Sequence, residues 1–591
     1  MDVDAVSFPS HLLGMLTAIS EADFVSIDFE LSGIATRVRG GPRTRYHKQT
    51  IEERYAEVKA SAEKYHILQV GITCAKFDYI NDKYVLRPYN VHISPLIDER
   101  LDIEREFAFQ GGAVQFLLKN GFDIAAPFTR GVQYLSREEA ERAKQMTYDR
   151  LDKKVHAEGL QLQPEEVESL EFVRKTREAI IAWKDTDRSS LEISSTVGAL
   201  KQPLVPAITN FEKRLVHQLV RAEFPSLVTI SRPGFIRIIH YDEVREADMV
   251  RKQKQWVKER IVKQSGFRWV VEGLAKGDLH QFDPYFFAKN ASGLVIAADI
   301  DNIRERFRRA TTRLKDHQPV LVGHNMFTDL VNFYHCFFGP LPDTLQEFRE
   351  LVHQLFPKIV DTKYLATFGC GDINPSASLE DVANELKEQS LPNITIHGDH
   401  SKYTDNETLH EAGYDSLLTA TIMLRLSAKL NAKNAPPPAS GPSIVASSPA
   451  STTTMPSSYA ARVISTKKKN KNKNRKKKKK SEQNSEPINT KFASHNKFAF
   501  LSEDPKDTSS PRSDGNPRLS ENTVFIDGNK DWENEPFIQD TTGWVNVPPV
   551  ERKPMEMMPE LSSSSEFWQT YGNTLRVFGT LESVIKIADW E

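Results

Sequence analysis

The stretch FVSIDFEL, residues 24–31, alternates apolar and polar side chains and is typical of a β-strand. Side chains in a strand point alternately to its two faces, so Asp28 and Glu30 should lie together on one face and the apolar residues on the other. Two carboxylates side by side in so apolar a strand are unfavourable, because each loses hydration and repels the other. The fold therefore has to supply something that compensates both charges.

A bound divalent cation is the simplest way to compensate the charges of Asp28 and Glu30. Carboxylate oxygens suit Mg²⁺, which keeps several waters and bridges to substrate phosphates. Such a site needs more carboxylates from elsewhere in the chain, and two further aspartates stand in apolar settings. Asp329 follows the strand-like PVLVGHN, in the first turn of a helix predicted to begin near Met326, and Asp415 lies at the start of the last long apolar helix.

His410 precedes Asp415 by five residues. Five residues of a regular helix rotate by about 140°, so the two side chains could not share a helical face. The Ala412-Gly413 pair permits a break, which would place His410 on a loop and Asp415 on the helix. This arrangement suits a movable base beside a fixed metal ligand. His397 and His400 are nearby alternatives, but neither has this spacing to an aspartate that opens a helix.

The order of these residues resembles a known set of motifs. D-x-E at residue 28, G-H-N-x-x-x-D ending at residue 329 and H-x-x-x-x-D ending at residue 415 are similar to the three motifs of the DEDD exonucleases, histidine subtype. The flanking stretches SGI, TIEERY, LQVGI, FLLKNGFD, PLPDTLQEF, FPKIVDTK and LHEAGYD resemble the poly(A)-specific ribonuclease family of deadenylases, over roughly residues 20–430. The resemblance implies an α/β fold with an RNase H-like nuclease core, in which helices flank a mixed sheet.

The resemblance also implies a reaction. It is Mg²⁺-dependent 3′-to-5′ exoribonuclease activity that shortens mRNA poly(A) tails and releases 5′-AMP by two-metal hydrolysis. Two Mg²⁺ ions would be held by Asp28, Glu30, Asp329 and Asp415, and His410 would take the proton of the attacking water. Single-stranded RNA is the expected partner, and the resemblance suggests a homodimer.

Six further residues are placed at the RNA by the resemblance. Ile34, Val114 and Phe116 would pack near the terminal bases, although ordinary core packing is an equally open role for all three. Lys363 would contact a phosphate. The backbone next to Asp329 would be held by His324 and Asn325.

A change of pattern near residue 163 predicts an inserted domain. Two helical stretches, residues 165–184 and 210–224, precede two short strand candidates, which favours a small α+β unit. Its second helix resembles a single-strand nucleic-acid-binding fold named for an Arg followed four residues later by His. His217 is present, but Lys213 occupies the Arg position and Arg214 is one place late; a solvated helix face explains both cations equally well.

Beyond residue 432 the composition changes again. Pro, Ser, Thr and Ala dominate, and such a composition cannot build a core, so this region is expected to be disordered. The basic block KKKNKNKNRKKKKK, residues 467–480, fits nuclear import, nonspecific RNA binding or a solvated linker. The last segment regains strand-like alternation. It contains Trp568, either an exposed stacking residue of a degenerate RNA-recognition domain or, in the favoured interpretation, a core residue.

These patterns give five predicted segments. The nuclease domain comprises residues 1–162 and 246–432, and the inserted nucleic-acid-binding domain lies between its two parts, at 163–245. A low-complexity region follows at 433–560, and a short C-terminal segment at 561–591.

Charge, cysteine content and hydropathy limit the kinds of partner and the cellular compartment that we expect for this chain. The formal net charge of -2 means that nucleic acid would have to be held by local basic patches. Three cysteines without metal-site spacing predict a reduced intracellular protein, expected in nucleus and cytoplasm. Neither a signal peptide nor an apolar run of about 18 residues is recognisable, so no membrane association is expected.

Two other functions remain compatible with the motifs. The same chemistry could trim the 3′ ends of small non-coding RNAs, because substrate identity is read outside the metal centre. The fold could also serve as an inactive RNA-binding scaffold, although the complete set of acids and His410 argues against it.

Overall fold

The fold is taken from a computed structural model. It describes residues 1–35, 48–152, 161–194, 208–289, 294–295, 299–368, 377–434, 553 and 555–591. The predicted basic block and nearly all of the predicted low-complexity region lie outside these residues.

Thirteen strands are present in the described residues. In chain order they are β1 Asp2–Val3, β2 Phe24–Leu31, β3 Ile67–Asp78, β4 Lys83–Ser94, β5 Val132–Gln133, β6 Ser190–Ile193, β7 Leu227–Arg232, β8 Phe235–His240, β9 Val320–Gly323, β10 Ile359–Asp361, β11 Ile394–Ile396, β12 Thr574–Arg576 and β13 Val584–Lys586.

Sixteen α-helices accompany them in the same residues. They are α1 Phe8–Glu21, α2 Ile51–Ala62, α3 Gly111–Lys119, α4 Ala126–Thr129, α5 Arg137–Leu151, α6 Val167–Lys184, α7 Asn210–Glu223, α8 Glu243–Ser265, α9 Arg268–Leu274, α10 Ile300–Asp316, α11 Phe327–Phe337, α12 Leu345–Leu355, α13 Thr362–Thr367, α14 Leu379–Glu385, α15 Ala412–Asn434 and α16 Glu566–Tyr571.

The main sheet is mixed, as predicted. Its strands lie in the order β1-β4-β3-β2-β9-β10, and β5 and β11 also pair with β4. Strand β3 runs antiparallel to both of its neighbours, β2 and β4, whereas β9 runs parallel to β2 and β10 runs parallel to β9. Strand β2 therefore sits inside the sheet, with a hydrogen-bonded neighbour on each side.

Helices cover both faces of this sheet. The apolar side chains of β2 at Val25, Ile27 and Phe29 join a core that includes residues of α1, α2 and α11. On the opposite face α15 packs, and Ser26 donates a hydrogen bond of 2.7 Å to the carbonyl of Ser416. The prediction of an α/β fold with a mixed sheet between helices is confirmed, and Asp28 and Glu30 lie on the α15 side.

Local signals explain where several helices begin. The capping box predicted from Thr50 and Glu53 is present, with each side chain bonded to the other residue's backbone N–H. Helix α9, which lies within GFRWVVEGL, was not predicted as a separate element. Every residue of α9 is buried, and a buried helix of this length carries no amphipathic signal in its sequence.

The inserted region has an apolar core of its own. Strands β6, β8 and β7 form a three-stranded antiparallel sheet, against which α6 and α7 pack through Trp183, Leu219 and Ile238 among others. Strand β6 was not predicted, since it has only four residues. His217 lies 2.6 Å from the Thr229 hydroxyl, and the Lys213 ammonium donates to the carbonyl of Arg232. The boundaries at 163 and 245 remain predictions.

The C-terminal segment packs against the nuclease sheet. Asn573 receives a hydrogen bond from the backbone N–H of Ile359 through its side-chain oxygen and donates its own backbone N–H to the Ile359 carbonyl. Trp568 is fully buried and stacks on Trp590 at 5.7 Å. Core packing, the favoured interpretation of Trp568, is therefore the role that the structure gives it.

No helix among the described residues combines the length and the apolarity that a bilayer crossing requires.

The buried position of Trp568 makes the segment part of the folded core. We expect Trp568→Ala to lower the free energy of unfolding by about 3–5 kcal/mol, the usual loss for removing a buried large aromatic side chain. The matched control is Leu581→Ala in the same segment, whose side chain is 58% exposed and whose effect should stay within about 0.5 kcal/mol. Urea unfolding of the full chain measures both, and equal midpoints for wild type and Trp568→Ala would contradict the assignment.

Candidate metal centre

Gly71 determines how closely helix α15 approaches the sheet. It pairs with Asp28 across β2 and β3, and a Cβ at this position would lie 1.7 Å from the carbonyl oxygen of Ala412. Only glycine leaves room for the backbone of the α15 N-terminus here. The absence of one side chain on β3 therefore brings the first turn of α15, with Asp415, over the carboxylates of β2.

Polar side chains of the sheet hold this turn in place. Gln69 accepts a hydrogen bond of 3.0 Å from the N–H of Ala412, and Asn90 accepts one of 3.2 Å from Gly413. Asn90 also donates to Glu411. These bonds satisfy backbone donors that the start of a helix otherwise leaves free, and they fix the orientation of Asp415.

Asp28, Glu30 and Asp415 form one carboxylate cluster. Each offers an oxygen within 4.8 Å of an oxygen of the other two. Glu30 and Asp415 are each only 8% exposed. Oδ1 of Asp415 is buried and has no hydrogen-bond partner within the described chain. Three converging oxygens, one of them unsatisfied, fit a hard divalent cation such as Mg²⁺.

The raised pKa values of the cluster also indicate a cation site. Burial raises the pKa of Asp28, and the charges of Asp415, Asp329 and Glu30 raise it further. Burial and the charges of Asp415 and Asp329 raise the pKa of Glu30 to about 8. At an effective dielectric constant of about 20, two like charges about 4 Å apart repel by roughly 4 kcal/mol. A bound cation converts this repulsion into attraction.

Asp329 interacts electrostatically with this cluster, since its charge raises the pKa of Asp28 and of Glu30. Helix α11 begins at Phe327, one residue after the predicted start, and Asp329 lies in its first turn. Burial raises its pKa to about 7, and the charge of Asp361 adds to that shift. The charges of the acids from all three motifs thus act on one another in the fold.

Asp361 is a buried carboxylate that the sequence reasoning missed. It ends β10, is fully buried, and accepts backbone hydrogen bonds from Asn325 at 2.7 Å and from Arg576 at 2.8 Å. Burial raises its pKa to about 6, against the lowering effect of these bonds. Its signal in the sequence was an aspartate directly after the apolar pair Ile359-Val360 of FPKIVDTK, which lies in strand β10 in the structure.

His410 lies outside the helix. Its backbone has the left-handed φ of 64°, and its N–H donates 3.2 Å to the carboxylate of Asp415, while its imidazole is exposed beside the Phe116 ring at 4.9 Å. The break at the start of α15 thus separates a solvent-facing imidazole from a buried carboxylate. His400, one of the alternatives, is buried and bonded to the Pro88 carbonyl, and burial lowers its pKa to about 3.

The three apolar residues predicted near the bases lie at the surface or half-buried. Ile34 is 53% exposed, Phe116 is 46% exposed and Val114 is half-buried on α3. Gln110, which precedes α3, accepts a hydrogen bond of 3.1 Å from the Ile34 N–H and links the two segments. Ile34 and Phe116 are therefore not core residues, and Phe116 presents an exposed ring beside His410.

Of the remaining predicted residues, His324 and Asn325 lie on the loop between β9 and α11, and Lys363 lies on α13 directly after β10. His324 is 2.9 Å from the Thr362 hydroxyl, and burial lowers its pKa to about 3. Asn325 has a left-handed φ of 56° and is tied to Asp361. Lys363 is only 4% exposed; its ammonium donates to the Ala377 carbonyl and lies 5.3 Å from the centre of the Phe578 ring. A phosphate would reach Lys363 only by replacing one of these contacts.

Converging buried carboxylates on a mixed sheet, with an exposed imidazole beside them, define the class of metal-dependent phosphoryl-transfer sites. The sequence comparisons identify the family within that class. The model of the CAF1 family ribonucleases matches residues 3–423, and the chain belongs to this family.

Individual relatives agree with this family. The Poly(A)-specific ribonuclease PARN of Xenopus laevis is 26% identical over 455 residues, which are 74% of this chain and 64% of that protein. The Homo sapiens PARN is 27% identical over 456 residues, 74% of this chain and 63% of that protein. An uncharacterized protein of Schizosaccharomyces pombe is 25% identical over 445 residues, 72% of this chain and 92% of that protein. The chain thus spans less than two thirds of the two PARN proteins.

The raised pKa values predict an unusual pH dependence of stability without metal. Burial raises the pKa of Glu30 to about 8 and that of Asp415 to about 7, so between pH 5 and 8 the folded carboxylates retain protons that the unfolded chain has lost. The free energy of unfolding therefore falls as pH rises through this window. In EDTA the Tm should be lower at pH 8 than at pH 6, and Mg²⁺ should raise it more at pH 8.

Two variants test whether this cluster is responsible. Asp28→Asn removes one of the repelling charges and should flatten the pH dependence and reduce the Mg²⁺-induced rise in Tm. Asp301→Asn, at an exposed position on α10, should leave both unchanged. A wild-type response to Mg²⁺ in Asp28→Asn would show that the ion binds elsewhere.

Gly71→Ala tests the close approach of α15. The new Cβ would collide with the backbone of Ala412, so the first turn of α15 has to move away from β2. We expect a lower Tm and a weaker Mg²⁺-induced rise. Gly14→Ala is the control, because its Cβ meets nothing within 4 Å and alanine favours helix α1 by up to about 1 kcal/mol. Equal behaviour of the two alanine variants would remove the steric argument.

Proposed function

We propose that this chain is a Mg²⁺-dependent 3′-to-5′ exoribonuclease that shortens poly(A) tails and releases 5′-AMP. The observation that carries the proposal is the cluster of Asp28, Glu30 and Asp415, with Asp329 in electrostatic reach. Membership in the CAF1 ribonucleases supports the reaction, and the names of the PARN relatives support poly(A) as the substrate.

The four carboxylates would hold two Mg²⁺ ions. Bound there, the ions would make a water more acidic and stabilise the charge on the leaving 3′-oxygen. The fold holds the carboxylates themselves in position. Asp28 and Glu30 are fixed by strand β2, whereas Asp415 is fixed by the hydrogen bonds at the start of α15.

His410 is proposed as the general base. Its imidazole is exposed and sits on a turn, so it can rotate toward a water without disturbing α15. Phe116 packs edge-on against the imidazole and limits that rotation. Ile34 and Phe116 would meet the terminal bases through their exposed apolar surface.

Three accompanying expectations stay predictions. They are a homodimer, a location in nucleus and cytoplasm, and a contact between RNA and the inserted domain. Light scattering of the purified chain and fractionation of cells expressing it would address the first two.

The activity test uses purified full-length protein with oligo(A) and Mg²⁺, and it follows 5′-AMP release. Wild type should shorten the 3′ end stepwise, and Asp28→Ala should lose both this activity and the Mg²⁺-induced rise in Tm. His410→Ala should lower kcat by about 10²–10⁴-fold, the usual contribution of a general base, while the Mg²⁺-induced rise persists. His280→Ala, at an exposed histidine, should match wild type.

Absence of 5′-AMP release by the wild type, or equal rates for wild type and Asp28→Ala, would refute the proposed activity. Running the same assay on one RNA with and without an A-tail separates deadenylation from general 3′ trimming. A 2′-deoxy oligo(A) shows whether the ribose hydroxyl is read.

A further inference from the structure

The C-terminal segment contacts Asp361, whose charge reaches Asp329 of the candidate metal centre. Asp361 ends strand β10, and its two carboxylate oxygens bond to strand β12 and to the loop that precedes α11. One oxygen accepts from the N–H of Asn325 at 2.7 Å and the other from the N–H of Arg576 at 2.8 Å. A single carboxylate thus links Arg576 to the loop that precedes Asp329.

Arg576, Phe578 and Lys363 form a patch of two cations and one aromatic ring, the C-terminal patch. The Phe578 ring is 38% exposed, with the Arg576 guanidinium at 5.1 Å from its centre and the Lys363 ammonium at 5.3 Å. Within the described residues no carboxylate forms an ion pair with the Arg576 guanidinium, and its Nε has no hydrogen-bond partner. The Lys363 ammonium is already bonded to the Ala377 carbonyl, so the Arg576 guanidinium is the cation of the patch that a ligand can meet beside the partly exposed ring.

The turn that carries Phe578 is held on two sides. Val577 donates its N–H to the carbonyl of Ser583 and so closes the turn between β12 and β13. On the other side Leu581 donates its N–H to the carbonyl of Gln49, just before helix α2. The ring is therefore presented by a fixed backbone, and a ligand would not have to order this turn when it binds.

We propose that the C-terminal patch binds one nucleotide unit of single-stranded RNA upstream of the 3′ end. Arg576 would contact a phosphate, and Phe578 would stack on a base. This inference rests on the proposed function, because it assumes that RNA enters the metal centre between α11 and β10. Base stacking on an aromatic ring combined with a cation at the backbone is the usual way in which proteins hold single strands.

The charge distribution favours this ligand. The metal centre next to the patch is lined by carboxylates, which repel a phosphate until cations bind. Arg576 offers a positive charge that is permanent and independent of metal. A strand reaching the metal centre would thus be attracted from the side of the C-terminal segment, where the Arg576 guanidinium forms no ion pair with a carboxylate of the described residues.

The experiment compares Arg576→Gln and Phe578→Leu with wild type in the full chain. On a 12-nucleotide oligo(A), Arg576→Gln should raise KM about tenfold with kcat changed less than about twofold, and reduce the slope of log affinity against log salt by about 0.7–1. Phe578→Leu should raise KM by about 5- to 100-fold without changing the salt slope.

Two controls separate RNA binding from a structural role. Lys586→Gln removes an exposed cation of the same segment, on β13, and should leave KM and salt slope unchanged. Hydrolysis of bis-p-nitrophenyl phosphate, a diester too small to reach both the metal centre and the patch, should be equal in wild type and both patch variants. Affinity for oligo(A) is also measured by fluorescence anisotropy with Ca²⁺ in place of Mg²⁺.

The outcomes distinguish this inference from the proposed function. An active wild type with unchanged KM and salt slope in Arg576→Gln overturns the inference and leaves the activity standing. Lower kcat and Tm with unchanged KM also overturns it, because the residues then act structurally. An inactive wild type whose oligo(A) affinity still falls in both patch variants refutes the activity but supports the patch as an RNA site. A wild type that binds no oligo(A) overturns both.

Discussion

The approach of helix α15 to strand β3 is the constraint on which the rest of the site depends. Because Gly71 has no side chain, the carbonyl of Ala412 occupies the space that a Cβ would fill. This contact brings an acid from residue 415 within range of acids at residues 28 and 30. Neither the strand nor the helix forms a site by itself. The site exists because the two backbones are almost in contact.

This closeness places like charges together in a poorly hydrated space. Gln69 and Asn90 accept hydrogen bonds from the backbone N–H groups of α15 rather than pairing with its carboxylate, so they fix the geometry without neutralising the charge. Oδ1 of Asp415 stays unsatisfied. The folded chain therefore leaves the negative charge of these carboxylates uncompensated, and a bound divalent ion would compensate it.

Much of this site could be predicted from the sequence, for identifiable reasons. The alternation in FVSIDFEL fixed the face of both acids, and the break before Asp415 separated His410 from the helix. Side-chain alternation and helix starts are local properties, so local sequence encodes them. Asp361 was missed because its importance comes from Asn325 and Arg576, which meet it only in the folded chain. Strand β6 and helix α9 were missed because short or fully buried elements carry no periodic signal.

The C-terminal segment is joined to the nuclease by residues 435–552, a stretch whose composition predicts no core. For a loop without a core, which is what this composition predicts, the entropic cost of closure rises only logarithmically with length, by about 0.6 kcal/mol for each doubling. Docking of the segment through Asn573 and Trp568 should therefore be nearly indifferent to how long that stretch is. Insertions and deletions between the two folded parts can then accumulate over evolution, while Arg576 still forms its hydrogen bond with Asp361.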